Sequence, residues 1–137
     1  MRSPIIIYGR PVPKGRPRFT RSGHAYTPPK TNRFEKEVAM AYRQSGFPKF
    51  DGDARLVLDI RFYFRIPKNT TQKQRAEIES QSYYPKKPDI DNLCKAVMDG
   101  LNGVAYEDDR QIVGLDACKT YDKWGLGERT EIIIYKV

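Results

Sequence analysis

Histidine is nearly missing from this chain of 137 residues: His24 is the single one, and it sits in a turn-like stretch, Arg21-Ser22-Gly23-His24. That leaves little room for imidazole-built metal sites or for Ser-His and Cys-His nucleophile schemes. Cysteine is almost as scarce. Cys94 and Cys118 are the two present, and neither belongs to a CxxC, which argues against zinc. Both read as reduced thiols of a cytosolic protein, Cys94 on a helix and Cys118 in a strand-like run. No apolar run reaches the length of a membrane span, and the apolar stretch near the N-terminus is too short for a signal peptide. An intracellular, cytoplasmic protein is therefore expected. The chain has no P-loop and no GxGxxG, no internal repeat, no low-complexity tract and no linker.

What is abundant is positive charge. Lys and Arg number 25 against 17 Asp and Glu, giving a formal net charge of +8 and a pI near 9.5. Such a balance points to an anionic partner, most simply nucleic acid. Hydrophobic residues make up 39% and aromatic residues 12%, so the chain is expected to fold rather than stay disordered. Its length suits one domain, residues 1–137, burying roughly two thirds of the unfolded surface.

The pattern of elements follows from periodicity. Ile5 to Tyr8 reads as a strand closed by Gly9. Prolines at 11, 13 and 17 keep the next stretch out of a helix. That stretch carries Arg10, Lys14, Arg16, Arg18 and Arg21, with a short hairpin expected between Arg18-Phe19-Thr20 and Ala25-Tyr26-Thr27. A basic loop with Phe19 and Tyr26 suits a phosphate backbone. A helix is predicted from Asn32 to Gln44, capped by Thr27 or Thr31, with Phe34, Val38, Ala41 and Tyr42 inward. Arg55 to Ile66 alternates as a long strand, with Leu56, Leu58, Ile60, Phe62 and Phe64 facing the core. Residues 68–82 hold a very polar helix, either a plain surface helix or an excursion able to close over a substrate. A helix over Ile90–Leu101, a strand over Gln111–Tyr121 and a last strand over Thr130–Val137 complete the chain.

The chemistry concentrates between Lys86 and Asp109. Asp89 and Asp91 stand one residue apart, Lys95 lies four residues after Asp91, and Asp108 and Asp109 close the stretch. Spacing by two can aim both carboxylates into one pocket where an extended chain enters a helix, and the later loop can return a third. Carboxylate oxygens are what magnesium takes, and magnesium supports phosphodiester cleavage by neutralising charge that builds on the phosphate oxygens. Lys95 shares a helix face with Asp91 and could meet a phosphate; Asp99 could bind Lys95 or support the site. Capping and turn formation account for the same acids without any metal.

The motif Pro88-Asp89-Ile90-Asp91-Asn92-Leu93, with Lys95-Ala96, Asp99, Leu101-Asn102 and Asp108 to Val113, resembles the RusA family of Holliday junction resolvases, of bacterial and prophage origin. The opening Pro11 to Arg18 is similar to members from Gram-positive bacteria and their phages. The resemblance covers most of the chain and is densest from 86 to 113. It implies a Mg2+-dependent homodimeric endonuclease, bacterial or phage-encoded and nucleoid-associated, that nicks four-way DNA junctions symmetrically. The family's acidic triad falls on Asp89, Asp91 and Asp109, with Asp108 as neighbour or alternate ligand, and its catalytic lysine falls on Lys95. DNA contacts are expected from Lys14, Arg16, Arg18, Arg21, Lys86 and Lys87; the basic run before the first acid is thinner than in the family.

The expected fold is thus α+β, a single domain with a mixed β-sheet and helices packed on it, acting as a homodimer. A two-fold dimer would set two identical sites on opposed strands of a two-fold junction, with the 55–66 strand and the 90–101 helix as candidate surfaces. Two other functions share these residues: a nuclease of the same chemistry on other branched DNA or on RNA, and a DNA-binding module without catalysis.

Overall fold

Strict alternation of apolar residues sets the centre of the molecule. A computed structural model of the chain describes residues 3–137, so Met1 and Arg2, the start of the domain expected over 1–137, lie outside the described residues. In chain order the elements are β1 (Ile5–Tyr8), β2 (Arg18–Phe19), β3 (Ala25–Tyr26), α1 (Pro29–Gln44), β4 (Leu56–Phe64), α2 (Gln72–Ser80), α3 (Ile90–Leu101), β5 (Ile112–Tyr121) and β6 (Arg129–Lys136). The main sheet has the order β1-β6-β4-β5, and β2 pairs with β3 in a separate hairpin. Antiparallel pairs join β1 to β6 and β4 to β6, while β4 and β5 run parallel. A parallel pair needs a long crossover, and here the crossover carries α2 and α3. This is a single α+β domain with a mixed sheet and three helices.

Leu56, Leu58, Ile60, Phe62 and Phe64 are each 0% exposed. The register places Ile132 and Ile134 beside them on β6, with Ile5 beside Ile132 on β1. Phe34, Val38 and Tyr42 of α1 and Leu93, Val97 and Leu101 of α3 close this face. The second face, with Val57, Asp59, Arg61 and Tyr63 of β4, is half-buried or exposed. Because β4 has β6 on one side and β5 on the other, both its edges are used. Of the two surfaces expected to serve a dimer, this strand has only its outer face to offer.

Several boundaries differ from the expectation for physical reasons. Helix α1 starts earlier than Asn32, at Pro29, where the fixed φ of proline suits the first helical position. Neither expected threonine caps it: Pro28 is the cap residue. Thr31 is buried, accepts from Gly15 N–H at 3.0 Å and donates to Pro13 O at 3.0 Å, tying the basic loop to the helix. Helix α2 is shorter than the expected 68–82, and Thr71 and Gln74 form a capping box at its start; Ile78 is its one buried residue. Strand β5 starts after Gln111, and its Val113 and Leu115 remain 59% and 49% exposed; Leu115 lines an open pocket against α3. Strand β6 begins at Arg129, which is buried, donates to Asp122 at 3.2 Å and Glu131 at 2.7 Å, and stacks 3.8 Å over the Tyr63 ring. No helix among the described residues is long and apolar enough to cross a membrane.

Candidate active site

Helix α3 has the span expected from its sequence. Pro88 leads into it with its side chain unable to extend the helix backward, and Asp89 takes the cap position with extended backbone, φ −70° and ψ 141°. The Asp89 carboxylate makes no capping hydrogen bond. Capping therefore does not account for this acid, and its oxygens stay available. Asp91 follows in the first turn, where the helix dipole favours a carboxylate.

The later acids divide their tasks. Asp108 caps a single 3-10 turn, Asp109–Gln111, by accepting from Arg110 N–H at 2.9 Å. That backbone hydrogen bond holds the Asp108 carboxyl below the usual carboxylate range. Asp109, exposed at the start of the turn, instead lines a pocket of about 450 Å³ with Asp91 and Lys95. Ile90, Cys94, Met98, Leu115 and Ala117 make the rest of its wall. Burial, with the charge of Asp91 second, pushes the Cys94 thiol up to about 11, so at neutral pH it is a protonated thiol and a poor ligand.

Asp89 lines a separate pocket at the helix start, with Arg10, Pro13, Lys14, Lys87, Pro88 and Asn92. The structure thus brings Asp91, Asp109 and Lys95 together, whereas Asp89, expected in the same pocket as Asp91, lines a second pocket that shares no residue with theirs. Among the described residues no group of three or more His, Cys, Asp or Glu side chains is gathered tightly enough to hold a metal ion by itself. The donors at hand are carboxylate oxygens without imidazole or thiolate. Such a set fits a hard divalent cation that takes most of its ligands from water and a substrate phosphate.

Lys95 is exposed and reaches Asp99 Oδ1 at 3.5 Å. The other oxygen of Asp99 pairs with Lys14 Nζ at 3.0 Å, and Lys14 also holds Glu35 at 2.7 Å. Burial works against the charge on Lys14, but hydrogen bonds to Glu35 and Asp99 outweigh it and raise its pKa. Lys14 N–H also donates to Asn92 O at 2.8 Å. Lys14, expected to contact DNA, has its half-buried ammonium joining the basic loop, α1 and α3. Arg16, Arg18, Arg21, Lys86 and Lys87 are exposed, as are Phe19 and Tyr26 of the hairpin.

Two residues that hold the site escaped sequence reasoning. Gln111 is buried; its amide donates to Asp51 O at 2.7 Å and Ala54 O at 3.1 Å, and accepts from the N–H groups of Glu107 and Asp108 at 2.9 and 3.2 Å. It fixes the loop that presents Asp109. Lys119 of β5 donates to Lys86 O at 2.5 Å and Pro88 O at 2.7 Å, just before Asp89. Its signal was present: in the alternation Leu115, Ala117, Lys119, Tyr121 it is the one charge on the helix-facing side.

Fold and site together define a small basic α+β protein in which two carboxylates and a lysine line one open pocket. Comparison with known proteins makes this specific. Residues 8–135 match the family described as endodeoxyribonuclease RusA, and the chain belongs to that family. It is also 34% identical over 139 residues to the uncharacterized protein YqaN of Bacillus subtilis (strain 168), covering 97% of this chain and 95% of that one.

Proposed function

We propose that this protein is a Mg2+-dependent endodeoxyribonuclease that resolves Holliday junctions by paired symmetric nicks, as a homodimer, in DNA recombination and repair. The observation that carries the reading is the shared pocket of Asp91, Asp109 and Lys95, with Asp89 as cap residue of the same helix, in a chain of the RusA family. Asp89, Asp91 and Asp109 would hold the cation, and Asp108 supports Asp109 by capping its turn. A bound magnesium would neutralise charge gathering on the scissile phosphate and lower the pKa of the attacking water. Lys95 meets the phosphate oxygens, and Asp99 keeps its ammonium near the rim. Arg16, Arg18, Arg21, Lys86 and Lys87 contact the DNA backbone, which positions a duplex without reading its sequence. Two copies are needed because a four-way junction is two-fold symmetric and a single cut does not resolve it.

The test is cleavage of a synthetic four-way junction with and without Mg2+, by wild type and Asp91→Asn. Wild type should cut in Mg2+ and stop in EDTA. Asp91→Asn should lose roughly 10³-fold in rate, several kcal/mol of transition-state stabilisation, while still binding the junction. Equal rates on linear duplex would reject junction specificity, and unchanged behaviour of Asp91→Asn would leave a DNA-binding module.

A further inference from the structure

The segment from Ser82 to Pro88 runs along the outer edge of β5 and ends at the proposed ligand Asp89. At first it is held as a strand would be. Tyr121 N–H donates to Ser82 O at 2.8 Å, Tyr83 pairs with Thr120, and Tyr84 N–H donates to Lys119 O at 3.0 Å. Then the sequence reads Pro85-Lys86-Lys87-Pro88, and a ladder cannot continue where two prolines remove backbone donors. At that point the Lys119 side chain takes over: its ammonium spans the Lys86 and Pro88 carbonyls at 2.5 and 2.7 Å. A lysine ammonium carries three donors and no acceptor, so it can join two carbonyls that have no N–H groups opposite them. It also lies 5.7 Å from the centre of the Tyr84 ring, which borders it from the arm itself.

We infer that Lys119 is a positioning residue for this site: it substitutes for the missing backbone ladder and fixes the arm that sets Asp89, and with it Lys86 and Lys87, against the start of α3. The inference rests on the reading of Asp89 and Asp91 as metal ligands. Its consequence is specific. The pocket of Asp91 and Asp109 does not by itself gather three ligands, and Asp89 lines a different pocket, so its approach to a shared cation depends on how the preceding arm is held. Without the latch the arm samples more positions, and the cation meets a less ordered set of oxygens. Residues that orient ligands commonly change metal affinity by about 10–100-fold.

Lys119→Met keeps the length and apolar body of the side chain and removes the donors; Lys119→Arg keeps the charge with a different reach. Lys36→Met, at an exposed position of α1, is the control. Two quantities are measured on each: amide hydrogen exchange of residues 86–93 in the metal-free protein, and the Mg2+ concentration giving half-maximal junction cleavage, with Mg2+ binding followed in parallel by calorimetry. In Lys119→Met, exchange in 86–93 should rise and the Mg2+ midpoint should increase by about tenfold or more, with junction binding in EDTA unchanged. Lys119→Arg should fall between this variant and wild type, and it carries the comparison alone if Lys119→Met does not fold. A folded Lys119→Met with wild-type exchange and Mg2+ midpoint overturns the inference. If wild type neither binds Mg2+ nor cuts the junction, the reading of the site fails, while the exchange comparison still decides whether Lys119 holds the arm.

Discussion

At the scale of single residues, polar groups decide where this protein is rigid. Gln111 satisfies four backbone groups with one amide, and buried polar groups left unpaired are costly, so the loop that carries Asp109 is held by a network of the kind that specifies one arrangement. Lys14 is similar: a cation placed between Glu35 and Asp99 serves the join between the basic loop and α3. Thr130 is the opposite case. It is 0% exposed, lies opposite Ile7 and Phe62 in the sheet register, and its hydroxyl is buried without a hydrogen-bond partner. A buried, unsatisfied hydroxyl costs about 1–3 kcal/mol. Valine has nearly the same shape and nothing to satisfy. Thr130→Val should therefore raise unfolding free energy by about 1 kcal/mol, read from the denaturant midpoint at unchanged slope, with the far-ultraviolet spectrum unaltered. A loss of stability would mean that the hydroxyl has a partner in solution.

At the scale of elements, the two helices that close the core meet closely at one glycine. A Cβ built on Gly100 of α3 would stand 2.8 Å from Val38 Cβ and 3.0 Å from Glu35 O of α1. Alanine in a helix is better than glycine by roughly 1 kcal/mol, but both neighbours here are backbone or the stiff stem of a β-branched residue. Overpacking of about 1–3 kcal/mol outweighs that gain. Gly100→Ala should be less stable than wild type in urea, and, because α3 carries Asp91 and Lys95, it should also cut more slowly. Where the signal is periodic, these elements were legible in the sequence: β4 alternates without a break, and α3 has the bounds its apolar stripe predicts. The start of α1 was not, because Thr31 reads as a cap by residue type and only the fold shows its hydroxyl turned to Gly15 and Pro13. The exposure of Val113 and Leu115 was hidden for a related reason: apolar character in a strand does not say how much of its face a helix covers. In the site, the acids were legible as a cluster, whereas their sorting was not. Asp108 and Asp109 are adjacent and chemically identical, and only the cap formed with Arg110 N–H separates them.

At the scale of the whole molecule, the question is which of the 25 Lys and Arg side chains behind the net charge of +8 meet DNA. Counting cannot answer, because a cation already neutralised inside the protein displaces no counterions from a phosphate. The structure separates cations that are paired within the protein from those that are not. Arg16, Arg18 and Arg21 are exposed on the loop and hairpin, and no ion pair to them stands among those found in the described residues. Lys14, on the same loop, is paired with two carboxylates. Each phosphate contact contributes about 0.9 to the slope of log affinity against log salt. Replacing Arg16, Arg18 and Arg21 by Gln together should therefore lower that slope by roughly 3 and weaken junction binding in EDTA most at low salt. Lys14→Met should leave the slope near the wild-type value, because the charge it removes was already balanced. It should instead lower stability, since Glu35 and Asp99 lose their shared cation in a half-buried setting, and breaking a buried pair costs more than forming one gains. The two effects separate in one experiment, junction binding titrated at several salt concentrations alongside urea unfolding. If Lys14→Met lowers the slope by about 1 with stability intact, the loop must release Lys14 to the phosphate backbone when DNA binds, and the join between loop and α3 opens in the complex.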